Sequence, residues 1–133
     1  MPSAQDVTPS MLLTAMSRMG YECSERDEKS IRAEHQTRMN VVGIILPEKE
    51  IILFLHSWKT KKGWRGVPRE AINEVNRMCL MNTCYIDSDG DIAGSFYVPI
   101  ASGFNETELG SVLERADAEF RVAAAAKLID HLD

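Results

Sequence analysis

The sequence has little cysteine, and its three cysteines include no C-x-x-C pair. An odd set without that spacing argues against a disulfide framework and indicates buried thiols in a reducing compartment. No apolar run approaches the ~20 residues of a membrane-spanning helix. The first residues also lack the basic start and apolar core of a signal peptide. We therefore expect a cytoplasmic protein with no membrane segment.

Signatures of catalysis are also missing. The three histidines, His35, His56 and His131, are scattered, and none belongs to an H-E-x-x-H motif. No set of nucleophile, base and orienting group is visible. A pair formed by Cys84 and His56 stays open as a catalytic alternative, although a thiol on the core face of a hairpin is usually inert packing. We expect no enzyme, no cofactor and no metal site.

The composition is that of an ordinary globular domain, with 44% hydrophobic and 26% charged residues. The net charge of −5 disfavours general nucleic-acid binding through the overall field. A chain of 133 residues is long enough to bury a core without disulfides or metals. We expect one domain over residues 1–133, with a flexible end at residues 1–7.

Periodicity predicts three helices and five strands. Apolar residues recur at helical spacing in residues 9–19, in residues 68–80 and after residue 105. Strands are predicted at residues 31–35, 40–46 and 50–56, and as a hairpin within residues 82–100. Thr8 and Asn105 are the expected N-caps of the first and last helices. The order α-β-β-β-α-β-β-α predicts an α+β fold, with helices packed on an antiparallel five-stranded sheet.

The hairpin turn contains Asp87-Ser88-Asp89-Gly90, which fits a type I turn with glycine at its fourth position. The alternative is a two-residue loop centred on Asp89-Gly90. The three-residue loop places Cys84 and Ile86 on one face with Ile92, and on that face Gly94, Phe96 and Val98 follow. We choose it because only this register makes one apolar face.

Calcium binding is the competing interpretation of this turn. Asp87, Asp89 and Asp91 alternate as at the start of an EF-hand loop. That loop requires glycine at its sixth position and glutamate at its twelfth. Here Gly90 is fourth and Val98 is twelfth, so the turn is the better interpretation.

Two of the strands, residues 40–46 and 50–56, are apolar on both faces. A sheet with one wet face should alternate, so the second face needs a helix, a second protomer or a bound partner to cover it. In a chain this small we favour a homodimer or a partner-binding surface. The candidate surface is the second helix with the nearby apolar strand face. On that helix the candidate residues are Ile72, Val75, Asn76 and Cys79.

A basic stretch with two tryptophans follows the second of these strands, at residues 58–65. Its candidate anion-binding residues are Trp58, Lys59, Lys61, Lys62, Trp64 and Arg65. Such a loop is suited to a nucleic-acid backbone, a phosphate group or an acidic peptide. The alternative is a solvated loop whose tryptophans pack back on the core.

The last helix carries several acidic residues, namely Glu106, Glu108, Glu114, Asp117 and Glu119. Carboxylates in the first turn complement the helix dipole, and the others are typical of a solvated helix face. We therefore assign them no functional role.

Three stretches in this order resemble the YbjN family, described as bacterial sensory transduction regulators. They are Ile72-Asn73-Glu74-Val75-Asn76-Arg77, Tyr85-Ile86-Asp87-Ser88-Asp89-Gly90-Asp91-Ile92 and Gly103-Phe104-Asn105-Glu106-Thr107-Glu108-Leu109. The resemblance implies a fold similar to type III secretion chaperones, usually a homodimer that binds extended segments of partner proteins. It implies no catalytic residues. We expect a non-catalytic, dimeric protein-binding or regulatory module, with nucleic-acid or phospholigand binding by residues 58–65 as the alternative.

Overall fold

The computed structural model describes residues 1–60 and 68–132. The helices of these residues are α1 (Pro9–Arg18), α2 (Arg69–Met78) and α3 (Glu106–Lys127). The strands are β1 (Glu22–Asp27), β2 (Ser30–Glu34), β3 (Val41–Leu46), β4 (Ile51–Trp58), β5 (Thr83–Ile86) and β6 (Ile92–Pro99). Short 3-10 turns lie at Ala4–Asp6, Pro47–Lys49 and Ile129–His131. In this described part, none of the helices has both the length and the hydropathy to cross a membrane.

Local hydrogen bonds define the helix ends where the sequence predicted them. The Thr8 hydroxyl accepts a hydrogen bond from the Met11 amide at 3.2 Å. The Asn105 side chain likewise accepts one from the Glu108 amide at 3.0 Å. Gly20 takes a φ of +92° just beyond α1, a backbone conformation that glycine adopts at little cost. The predicted caps are confirmed.

The sheet is antiparallel throughout, with strand order β1-β2-β3-β4-β6-β5. The predicted α+β class is confirmed, but the described chain contains six strands and the prediction of five was wrong. The missing strand is β1, whose sequence ECSERD is polar and exposed at every position except Cys23. An edge strand outside the core has no reason to alternate, so periodicity gave no signal for it.

The β5–β6 hairpin has the predicted register. Ile86 lies opposite Ile92, and Cys84 lies opposite Gly94. The Gly90 amide donates a hydrogen bond to the Asp87 carbonyl at 3.1 Å, and Gly90 has a φ of +81°. The three-residue loop is therefore confirmed over the two-residue alternative.

The core lies between the helices and one face of the sheet. Gly43 on this face lets α1 approach closely, because a Cβ atom there would lie 3.2 Å from Leu12 Cδ2 and 3.0 Å from Phe54 Cε1. On the same face, the Phe120 ring of α3 packs against His56 with ring centroids 4.5 Å apart. The helices therefore bury the inner face of the central strands. In the part of the chain that the structure describes, they do not cover the opposite, apolar face of these strands.

The first residues pack against the domain, whereas the sequence predicted a flexible end there. Ala4 and Val7 are buried. The Pro2 carbonyl accepts a hydrogen bond from the Phe104 amide at 2.8 Å, just before α3. This contact joins segments about a hundred residues apart, so no local pattern in the first residues predicts it.

Candidate functional site

The second apolar face of β3 and β4 is only partly covered. In residues 41–46 and 51–56 the inward residues are buried and the alternate residues are half-buried. Tyr97 of β6 lies opposite Leu53 and is 59% exposed. Among the described residues no helix lies on this side of the sheet. We call this surface the open face, formed by Val42, Ile44, Leu46, Ile51, Leu53, Leu55 and Tyr97.

Polar residues border the open face on both sides. Arg32 of β2 lies opposite Val42, and Ser95 of β6 lies opposite Leu55. A shallow depression of ≈ 460 Å³ crosses this end of the sheet from Arg32 and Glu34 to Tyr85 and Asp87. An apolar centre with a polar border is the usual anatomy of a protein–protein interface.

The four residues predicted as a partner surface on α2 are engaged within the chain. Ile72 is buried and Val75 is fully buried. Asn76 and Cys79 are half-buried. Burial raises the pKa of the Cys79 thiol to about 12, and the neighbouring Glu119 carboxylate adds to that rise. A partner site on this helix stays a prediction.

Asn76 covers the exposed edge of the sheet at β5. Its side-chain oxygen accepts a hydrogen bond from the Cys84 amide at 2.7 Å. Its Nδ2 atom donates one to the Cys84 carbonyl at 3.0 Å. The amide thus bonds the backbone as a further strand would. Edge strands left open pair with other chains, so this contact protects the edge.

Replacing Asn76 with alanine is expected to destabilise the protein by about 1–3 kcal/mol, because two hydrogen bonds to the Cys84 backbone are lost. The freed edge is also expected to promote aggregation. Urea unfolding and light scattering measure the two effects. Asn73→Ala is the matched control, since Asn73 is exposed on the same helix. Equal behaviour of the two variants would contradict the role given to Asn76.

A chain of hydrogen-bonded side chains, buried at His56 and Asn82, begins at the half-buried Trp58 at the end of β4. Trp58 Nε1 donates to His56 Nδ1 at 3.0 Å. His56 Nε2 lies 2.9 Å from Asn82 Oδ1. Asn82 Nδ2 in turn donates to the Ala116 carbonyl at 2.9 Å and to Glu119 Oε1 at 3.0 Å. These contacts join β4, the segment before β5, and α3.

Glu119 closes this chain by binding the turn between α2 and β5. Its carboxylate accepts hydrogen bonds from the backbone amides of Leu80, Met81 and Asn82 at 2.8–3.2 Å. Burial by itself would raise the pKa of Glu119. The Asn82 side chain and the backbone donors outweigh it, and the pKa is lowered. The carboxylate holds a turn in which Leu80 is 97% exposed.

Two acidic residues of α3 therefore contradict the interpretation of a solvated face. Besides Glu119, Asp117 is buried and accepts hydrogen bonds from the Met39 amide at 2.7 Å and from Arg121 Nε at 2.9 Å. Both carboxylates bind backbone amides that lie 37 to 78 residues away in the sequence. No pattern within the helix itself distinguishes them from Glu114, which is exposed.

The Cys84–His56 pair does not form a nucleophile and base. Both ring nitrogens of His56 bond other side chains. Burial raises the pKa of the Cys84 thiol to about 11, so the thiolate is scarce at neutral pH. The histidine serves the core network instead.

Only the start of the predicted basic loop lies within the described residues. Trp58 packs on the core, stacked on Phe120 with ring centroids 5.5 Å apart. This agrees with the alternative in which the tryptophan folds back, and it removes one of the two rings proposed for stacking on a ligand. Lys59 is exposed. Lys61, Lys62, Trp64 and Arg65 lie outside the described residues.

Residues 8–123 match the model of the YbjN family, whose description reads "Putative bacterial sensory transduction regulator". Among solved structures, YbjN of E. coli, whose description reads "a putative transcription regulator", superposes with a TM-score of 0.69 at 11% identity. That match covers 93% of this chain and 94% of the other. The chain matches none of the curated proteins with which it was compared.

Two structures from type III secretion systems share the fold. The Yersinia pestis chaperone SycH, in complex with a fragment of YscM2, has a TM-score of 0.60 at 17% identity, covering 86% of this chain and 98% of the other. A chain of the heterodimeric ExoU–SpcU complex of Pseudomonas aeruginosa has a TM-score of 0.53 at 12% identity, covering 85% and 97%. At these identities the likeness concerns the fold. The resemblance inferred from the three sequence stretches is confirmed.

Proposed function

The chain belongs to the YbjN family, and on that premise we propose that it is a non-catalytic, dimeric protein-binding module that acts through its open face. The observation that carries the proposal is the two-sided apolar character of β3 and β4. Their inner residues are buried under the helices, while the open face remains half-exposed in a single chain. Contiguous apolar surface of this kind marks interaction sites.

The open face is large enough for the centre of an interface. Its residues lie on three neighbouring strands, β3, β4 and β6, and three strands about 4.8 Å apart, with four rows of alternate residues about 6.8 Å apart, make a face on the order of 400 Å². Each partner contributes roughly 800 Å² to a standard interface. A second copy presenting the same face would match apolar centre to apolar centre. A second copy of this chain therefore suits the open face by its chemistry, and the polar residues that border the face would supply the rest of the interface.

Two similar structures support the protein-binding part of the proposal. The SycH structure contains a fragment of YscM2, and the ExoU–SpcU structure is a heterodimer. Both are assemblies of a chaperone-like fold with another protein. The described residues give no support to catalysis by the Cys84–His56 pair, because both residues are buried in the core and both ring nitrogens of His56 bond other side chains.

Leu53→Glu tests the dimer directly. Leu53 lies at the centre of the open face, and a carboxylate there would have to be buried without a partner. We expect the dissociation constant of the dimer to rise at least about 30-fold, which corresponds to ~2 kcal/mol. Light scattering over a concentration series measures the change, and the far-UV circular dichroism of the variant should stay that of the wild type.

Two further variants locate the interface. Val122→Glu is the matched control, because Val122 is an exposed apolar residue of α3 and its replacement should leave the dimer intact. Met78→Glu tests the competing surface on α2, where Ile72, Val75, Asn76 and Cys79 lie. If only Met78→Glu causes dissociation, the dimer interface lies on α2 and not on the open face. If the wild type stays monomeric at every concentration, the proposal of a dimer is wrong.

Nucleic-acid or phospholigand binding by residues 58–65 is the weaker proposal, because the half-buried Trp58 packs against the core. It predicts salt-sensitive binding to single-stranded nucleic acid that is lost in a Lys61→Ala, Lys62→Ala double variant. Absence of binding at low salt would remove it.

A further inference from the structure

The donors and acceptors around His56 define its protonation state. The Trp58 indole nitrogen can only donate, so His56 Nδ1 must accept and carry no proton. Both protons of Asn82 Nδ2 go to the Ala116 carbonyl and Glu119. Asn82 Oδ1 therefore faces His56 Nε2 and accepts its proton. The network is complete only with a neutral imidazole protonated at Nε2.

Among the described residues, a second proton on His56 has no acceptor in this network. It would be placed on Nδ1, where it meets the Trp58 N–H group 3.0 Å away, donor against donor. The ring has no room to turn, because it lies against the backbone of Gly94. A Cβ atom at Gly94 would come within 2.1 Å of His56 Cε1. Phe120 packs on the ring at a centroid distance of 4.5 Å. The contact to Trp58 is the one that must open.

The charged groups near His56 do not offset this conflict. From α3, Asp117 is held by the Met39 amide and Arg121, and Glu119 is held by the turn before β5. β6 contributes Gly94 and the Phe96 ring, which carry no charge. Nearby thiols on β5 and at the end of α2 have raised pKa values, about 11 and about 12, and are neutral in acid.

We propose that protonation of His56 releases Trp58 from the core, so that the end of β4 is a proton-sensitive contact. The contact lies at the last residue of β4, and the same histidine bonds Asn82 next to β5. Acid thereby acts on the Trp58 contact, while the hydrogen bond from His56 to Asn82 is kept. This goes beyond binding at the open face and stands without it.

The direction of the pH effect follows from burial. Burial lowers the pKa of His56, and Asn82 and Asp117 oppose it only in part. The folded pKa is therefore below the unfolded value of about 6.5. The stabilisation is fully present above about pH 6.5 and is lost as the pH falls through that value towards the folded pKa.

Fluorescence of a Trp64→Phe variant tests the proposal, because Trp58 is then the only tryptophan. Between pH 8 and pH 5 we expect a reversible red shift of its emission with a midpoint below 6.5, while the far-UV circular dichroism is retained. His56→Gln in this background should abolish the shift, since glutamine can accept from Trp58 and donate to Asn82 but does not titrate. His35→Gln is the control and should titrate like its parent.

Two outcomes would overturn the proposal. One is an emission that stays constant to pH 5 in the Trp64→Phe protein. The other is a shift that persists unchanged in the His56→Gln variant. Should His56→Gln fail to fold, histidine proton resonances of the Trp64→Phe protein replace it. A histidine must then titrate with the midpoint of the Trp58 signal, and a mismatch between them counts against the proposal.

Discussion

Replacing Gly94 with alanine is expected to destabilise the protein by roughly 3 kcal/mol. The added Cβ atom would lie 2.1 Å from His56 Cε1 and 2.5 Å from Nε2. The imidazole cannot move aside, because Trp58 and Asn82 hold its two nitrogens and Phe120 packs on its face. Either these hydrogen bonds break or β6 moves away from β4. Urea unfolding measures the loss of free energy of unfolding.

Gly90→Ala separates this clash from the general effect of losing a glycine. Gly90 has a φ of +81°, and a Cβ atom added there would have no other atom within 4 Å. Its replacement should cost only the strain of a left-handed residue, roughly 1 kcal/mol. A double-mutant cycle then assigns the Gly94 effect. In a His56→Ala background, Gly94→Ala should cost less, with a coupling of about 1–3 kcal/mol. Additive costs would show that the histidine is not the obstacle.

Glu119→Gln is expected to lower the free energy of unfolding at pH 7 by about 2–3 kcal/mol. The substitution keeps size and helix propensity but replaces a carboxylate with an amide. The amides of Leu80, Met81 and Asn82 then lose a charged acceptor. The new NH₂ group is itself a donor, so it cannot accept their hydrogen bonds. The turn after α2 should open first, which hydrogen exchange of these three amides measures.

Glu114→Gln is the control for this variant, because Glu114 is an exposed acid of the same helix. It should change stability by less than about 0.5 kcal/mol. The pH dependence offers a second check. The pKa of Glu119 is lowered in the fold, so its contribution is present above the unfolded value of about 4.3 and is lost as the pH falls through the folded pKa. The difference between wild type and Glu119→Gln should therefore shrink in acid. A difference independent of pH would contradict the carboxylate's role.

Features that depend on neighbouring residues were predictable from the sequence. The caps at Thr8 and Asn105 join atoms three residues apart. The hairpin register follows from the turn at Asp87–Gly90, since only one register keeps Cys84 and Ile92 on the core side. By contrast, β1 carries no apolar alternation because it lies at the sheet edge, and its polar sequence resembles a loop.

The candidate surface could be predicted only in part. The sequence indicated that β3 and β4 are apolar on both sides and that one side needs a cover. It did not indicate that Ile72 and Val75 are buried within the chain. The α2 stripe and the strand faces are equally apolar in sequence, and only the packing of α2 beside α3 and β5 distinguishes them.

The sequence by itself determined the order of elements, their capped ends, the hairpin register and the two-sided apolar strands. These depend on periodicity and on hydrogen bonds between residues a few positions apart. Only the tertiary structure decided which sheet face stays open, which acidic side chains bind backbone amides, and that His56 is buried between Trp58 and Asn82. Each of these depends on contacts between separate elements. The local sequence around a buried aspartate or histidine does not differ from that around a solvated one.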